Sequence, residues 1–373
     1  MTPACRRAGT LLLRGAFLVV MTALSAAGQA APAQSTQERL KRVSTDLLSR
    51  ADRIPDAVKE LKDILATDPT SADAHMLLGI AYRNLGGSEL LGEAVAELRQ
   101  AIALNPRLAP ARLYLAYVYL DLGRPARARQ ELQEALTAAP GQPAFLAAMG
   151  ETERQMKNPT RAIELLRQAL AADPSFAQGR YYLGLALLDA GQRDDGIKAL
   201  EQIVASGAKV AEVHMSLGAA YIEAGRIDEA LETLSQGSWI DPSRPDIRVA
   251  LARAYRIKGA LDKAEEQLKV ATPQPTLTAS SQQLEFDYYT ELGLLRLARK
   301  QLSAAAEAFQ RVLDMDPSHG QTHRYLAEVC LEQGAIAKAR EHAAIAEKQG
   351  APLPEHLRKR LQQKSPAAAG PRK

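Results

Sequence analysis

A small residue returns at intervals of 34 along this chain: Ala116, Gly150, Gly184, Gly218 and Ala252. Gly79 stands 37 before the first, Gly293 stands 41 after the last, and Ala327 follows Gly293 by 34. A period of this length belongs to stacked supersecondary units, each too small to bury its own apolar face. A larger apolar residue precedes each small one: Leu78, Leu115, Met149, Leu183, Leu217, Leu251, Leu292 and Leu326. Three residues after it, four copies carry tyrosine: Tyr82, Tyr119, Tyr221 and Tyr255. This i, i+4 stripe predicts a buried helix. Gly86, Gly123, Gly191, Gly225, Gly259 and Gly334 mark its end.

A second helix follows. It carries Ala94, Leu98 and Ala101 in one copy, then Ala128, Leu132 and Ala135, then Ala162, Leu166 and Ala169. Later copies read Ala230, Leu234, Gly237 and Ala305, Phe309, Val312. Proline closes this helix at Pro69, Pro106, Pro140, Pro174, Pro242 and Pro317. Proline lacks an N–H and disfavours a helical residue before it. Ala and Gly recur where two backbones approach closely, because a larger side chain there overpacks the contact by about 1–3 kcal/mol.

The pattern resembles the tetratricopeptide repeat (TPR). Leu-Gly or Leu-Ala, then Tyr, Gly, Ala, Leu, Ala and Pro, recur eight times between Ala72 and Leu353, with a weaker ninth unit at Ala57, Leu61 and Pro69. Gly196 and Ala208 depart from the expected Ala and Pro, and Lys157 and Lys300 stand where the inter-helix glycine belongs. The resemblance implies an all-α, right-handed superhelical solenoid of stacked helix-turn-helix repeats. The expected order is a signal peptide at 1–33, a degenerate helix pair at 34–71 and repeats at 72–271. A Pro/Ser/Thr-rich irregular connection at 272–285 is the candidate hinge or boundary. Repeats resume at 286–353, then a capping helix at 354–364 and a disordered tail at 365–373.

The first thirty residues differ from the rest. Arg6, Arg7 and Arg14 make a basic start, Gly15 to Ala27 is an apolar run, and small residues follow. This reads as a secretory signal peptide, the run being short for a membrane span. The expected compartment is the bacterial periplasm, with extracellular release or a retained membrane anchor as alternatives. Without those three arginines, 47 basic residues become 44 against 43 acidic ones. The excess that suggests nucleic-acid affinity then vanishes, and no basic stripe replaces it. Cys5 falls in the signal segment, which leaves Cys330 alone, at a tyrosine position of the repeat. It reads as a small buried hydrophobe.

No phosphate loop, nucleophile elbow or zinc-type Cys/His cluster is present. His319 and His323 are spaced i, i+4, but no third ligand is evident. His323 shares its register with His75 and His214, which points to packing or a local hydrogen bond. No metal, cofactor or catalytic residue is expected.

In the TPR family the first helix of each unit lines an inner groove. By register the groove residues are Met76, Asn84, Leu113, Tyr117, Asp121, Arg154, Gln155, Tyr181, Asp189, Met215, Glu223, Arg253, Arg256 and Arg324. The lysine and asparagine clamp that some members use for a terminal carboxylate is missing: Met76, Ile80, Tyr114 and Ala144 hold those places. The expectation is a non-catalytic scaffold binding proteins or peptides, in assembly of a bacterial envelope complex such as a pilus, secretion or exopolysaccharide apparatus. Nucleic acid is not an expected partner. Membrane contact comes only through partners or an uncleaved anchor, and homo-oligomerisation stays open. The alternatives are a self-assembling array and, third, a small-molecule or glycan-binding or enzymatic protein.

Overall fold

The computed structural model describes residues 31–272 and 279–363. Residues 1–30 of the expected signal segment, 273–278 of the expected connection and the expected tail at 365–373 lie outside the described residues. Among the described residues the regular elements are helices. The chain divides into two bodies between Ala224 and Gly225.

The first body opens with α1 (Ala31–Arg42), a π-turn at Val43–Leu47 and α2 (Ile54–Thr67). Helix pairs follow: α3 (Ala72–Leu85) with α4 (Ser88–Leu104), and α5 (Ala109–Asp121) with α6 (Pro125–Ala138). Next come α7 (Pro143–Gln155) with α8 (Pro159–Ala172), α9 (Ala177–Asp189) with α10 (Arg193–Ala205), and α11 (Ala211–Glu223). Each helix packs on its partner and on the next pair, and first helices also touch one another.

The second body holds α12 (Ile227–Ile240), α13 (Pro245–Ile257) with α14 (Leu261–Val270), and α15 (Ala279–Ala298) with α16 (Leu302–Met315). It ends with α17 (Gly320–Glu332), α18 (Ile336–Lys348) and α19 (Glu355–Gln363). Helix α15 starts inside the stretch whose composition suggested an irregular connection. It packs on both α13 and α14, so the residues flanking 273–278 share one core of Val249, Ala252, Leu268, Tyr288 and Leu295. The division falls at the Gly225 turn instead. Leu357 of α19 and Leu353 seal the last pair against Cys330 and Leu331.

The repeat residues meet as their periodicity requires. Ala94, Leu98, Ala128, Leu132, Ala162 and Leu166 are fully buried. A methyl carbon placed on Gly150 would stand 2.6 Å from Leu166 Cγ, and one on Gly184 would stand 2.9 Å from Leu200. The small residue of these first helices is thus a seat for a large one sixteen positions later, and Gly79 is the seat for Leu98, nineteen later. Lys157 and Lys300 take φ of 65° and 57°, the left-handed conformation that glycine supplies in the other units. The turns between units are pinned by side chains. Asp173, Asp241 and Asp316 each accept from the backbone N–H and hydroxyl of a serine two residues on, at 2.6–3.1 Å.

Candidate functional site on the first-helix row

Successive first helices of the first body present one row of side chains. Arg83 of α3 bonds Asp121 of α5 at 2.6 Å, with 2% of its side chain exposed. Its guanidinium lies over the Tyr117 ring, 5.1 Å from the centroid. Tyr114 meets Tyr117 edge-on at 6.3 Å. From α9, two units further on, one end of the Gln178 amide bridges the Tyr117 and Tyr182 hydroxyls at 3.2 and 3.1 Å. Three buried polar groups of this cluster have no hydrogen-bond partner: Arg83 Nη1, Tyr114 OH and Gln178 Oε1. Burial pushes the Tyr114 phenol up to about 12 and raises Tyr117 and Tyr182 as well. All three phenols therefore remain O–H donors at neutral pH.

Beside this cluster Arg154 of α7 is held on both sides. It donates to both oxygens of Glu151 at 2.7 and 2.8 Å, and to Asp189 of α9 at 2.8 Å. Gln155 donates to the same Glu151 at 2.9 Å. The second body repeats the theme. Arg256 of α13 reaches Glu291 of α15, a carboxylate with no exposed side-chain surface, and Arg253 stands 3.5 Å from the same group. Each inter-helix bridge spans 35–38 residues, so each joins one first helix to the next.

The structure thus brings Arg154, Gln155 and Asp189 together, joins Arg253 and Arg256 through Glu291, and ties Asp121 to Arg83. Met76, Leu113, Tyr117 and Tyr181 are each 1% exposed and lie in the packing of the row. The Tyr181 hydroxyl bonds Ser216 at 3.1 Å. Asn84, Met215 and Arg324 are partly exposed, and Glu223 is exposed. Met215, Glu223 and Arg324 join neither cluster.

Sequence reasoning passed over Gln178, Tyr182 and Glu291. A signal for the first two was available: Arg four positions after the small residue, paired with Asp five positions after the next one, marks Arg83–Asp121 and Arg154–Asp189 and so locates the row. Elsewhere, His319 Nδ1 bonds the Thr322 hydroxyl at 2.8 Å. His75 bonds Glu97 at 2.5 Å, beside a cleft of about 520 Å³ that Lys62, Leu65, Pro69 and Tyr82 also line. Among the described residues no helix is long and apolar enough to cross a membrane.

Three models, each described as tetratricopeptide repeat, match residues 88–151, 127–274 and 290–354. No curated protein matches the sequence. Among solved structures, the chain is similar to one in the APC/C hetero-tetramer Cut9-Hcn1, with a TM-score of 0.70 and 16% identity over 88% of this chain. It spans 62% of that chain's length. PilW, a type IV pilus biogenesis factor, aligns at a TM-score of 0.48 and 17% identity, covering 57% of this chain and 96% of its own. MamA from Desulfovibrio magneticus RS-1 aligns at 0.39 and 22% identity, covering 44% and 92%. The first likeness shows the fold, and the helix pairs, their register and the matched repeats agree: the chain belongs to the tetratricopeptide repeat family.

Proposed function

We propose that the chain is a non-catalytic scaffold that holds protein or peptide partners on its first-helix row. One observation carries this reading: Arg83, Tyr114 and Gln178 all contact Tyr117, and each holds one buried polar atom (Nη1, OH and Oε1) without a partner. An unpaired buried polar group costs about 1–3 kcal/mol. A bound peptide offers a carbonyl to the two donors and an N–H to the acceptor. Binding then exchanges the closed packing of Tyr117 and Tyr182 for contacts to the partner. Partly exposed Asn84 and Met215 supply side-chain contacts on the first helices of the first body, and Arg253 and Arg324 do so on those of the second. The basic, apolar and small-residue start of the sequence supports export, with the periplasm as the compartment and assembly of an envelope complex as the role.

The test is photo-crosslinking in the producing cell from Asn84, Met215, Arg253 and Arg324, against the exposed second-helix positions Arg161 and Glu232. Adducts to one partner protein from the first set alone are expected. Adducts from the second set, or from neither, reject the row. Adducts between copies of the chain would replace this reading with a self-assembling array.

A further inference from the structure

In several units, the residue four positions before the small one ties the first helix to the second. His75 Nδ1 meets Glu97 at 2.5 Å, Arg112 donates to Glu131 at 3.0 Å, and Arg248 donates to Gln267 at 3.0 Å. Each of these ties ends on a carboxylate or amide oxygen, which stays an acceptor when the first-helix residue is charged. In the last unit the same register holds a second imidazole instead. His323 of α17 meets His342 of α18 with their Nδ1 atoms 2.9 Å apart.

The neighbours fix the hydrogens. His323 Nε2 lies 3.0 Å from the Pro317 carbonyl, which only accepts, so Nε2 carries the hydrogen and Nδ1 accepts from His342 Nδ1–H. A first added proton goes to Nε2 of the partly exposed His342 ring, and the bond survives. A second proton can go only to His323 Nδ1. There it removes the acceptor, and two charged rings face N–H to N–H across 2.9 Å. The folded pair therefore holds one added proton where two separated imidazoles hold two.

The surroundings do not compensate. On α18, Glu341 favours the charged form of His342 and Lys338 opposes it. Asp316, at the end of α16, faces both His319 and His323, and His319 packs on Phe286 of α15 and bonds Thr322. From α19, His356 and Arg360 act on Glu328 and Glu332 instead. Burial, and then His323, hold the His342 imidazole below its ordinary 6.5. A depressed folded value means that the contribution is full above about pH 6.5 and is lost as pH falls through the folded value. The same two helices supply Ala327, Cys330, Leu331 and Ala339 to the core that Leu353 and Leu357 close.

We propose that the His323–His342 bond is an acid-sensitive latch: below about pH 6 its loss frees α18 from α17 and uncovers the apolar core beneath α19.

Residue-resolved hydrogen exchange of the full chain, corrected for intrinsic rates, tests this at about pH 7.5 and pH 5. Protection in α18 and α19 should fall about thirtyfold, the factor for one proton taken up near pH 6.5 by the open form alone, while α13 and α14 keep theirs. The amide of His342→Gln can donate to His323 or, turned over, accept from its charged form, so the fall should be at least tenfold smaller. His342→Glu restores the carboxylate of the His75–Glu97 tie and should act alike. His319→Gln should keep the fall. No fall in the parent, or an undiminished one in His342→Gln, overturns the latch. Loss of the fall in His319→Gln would place the response at that ring and overturn it as well.

Discussion

Gly293 faces the least forgiving neighbour of any repeat glycine. A methyl carbon there would lie 2.6 Å from Phe309 Cδ1, 2.8 Å from Cζ and closer still to Cε1. Phe309 is fully buried and stacked on Tyr325 at 5.3 Å, so its ring has nowhere to turn. Overpacking of this kind costs about 1–3 kcal/mol, and alanine's better helix propensity returns about 1 kcal/mol. Gly293→Ala should therefore destabilise α15–α16 by up to about 2 kcal/mol. Elsewhere the chain already pairs Ala with Leu at these two register positions, as Ala116 with Leu132 and Ala252 with Leu268. Gly150→Ala, opposite Leu166, should accordingly be close to neutral. The decisive variant is Gly293→Ala with Phe309→Leu, which recreates the Ala–Leu pair. It should be more stable than the sum of the single effects by about 1 kcal/mol or more. The assay is urea unfolding together with amide hydrogen exchange of α15 and α16, since a repeat array need not unfold in one step. Additivity of the two substitutions within about 0.5 kcal/mol would refute the seat-and-knob account of the repeat.

Arg154→Ala leaves Glu151, whose side chain is 4% exposed, without its main counter-charge. It should cost about 3–5 kcal/mol in denaturant unfolding, with Glu151→Gln added to it recovering part of the loss. Lys157→Gly and Lys300→Gly should each stabilise the chain by about 0.5–1 kcal/mol, because both lysines hold a left-handed backbone, and a fall in melting temperature would contradict this. Burial raises the Glu328 carboxyl above its ordinary value of 4.5. The folded state then binds the proton more tightly than the unfolded one, so this group's contribution is full below about pH 4.5 and is lost as pH rises through the folded value. Glu328→Gln should be more stable than the parent at pH 7 and equal to it near pH 4, and a gain at acid pH would reverse the sign.

The periodic apolar residues located the helices because one register position meets one packing partner in every unit. The same periodicity reached the salt-bridge row only in part. Arg154 and Asp189 sit at matching positions in successive units, so register brought them onto one list. The i, i+3 spacing of Glu151 and Arg154 gave their one-turn ion pair, but register did not reveal that Arg154 also bonds Asp189 of the next first helix, because such a pair depends on side-chain reach between helices and not on position. Gln178 escaped for a related reason: its contact with Tyr117 skips a unit, and a nearest-neighbour reading of repeats has no term for that. The Ser/Thr stretch before α15 looked irregular by composition, yet helix α15 begins at Ala279, and burial of Tyr288 against α13 and α14 stabilises it.

Each unit is stabilised chiefly by the units beside it, the Gln178–Tyr117 bond reaching one unit further. Residue-resolved hydrogen exchange of Leu132→Ala tests this most directly. Leu132 is fully buried, and its truncation should cost about 2–5 kcal/mol. Protection should fall in α5 and α6 and in their neighbours α4 and α7, while α10 and α11 keep theirs. Uniform loss of protection through the first body would show one cooperative core and contradict the account.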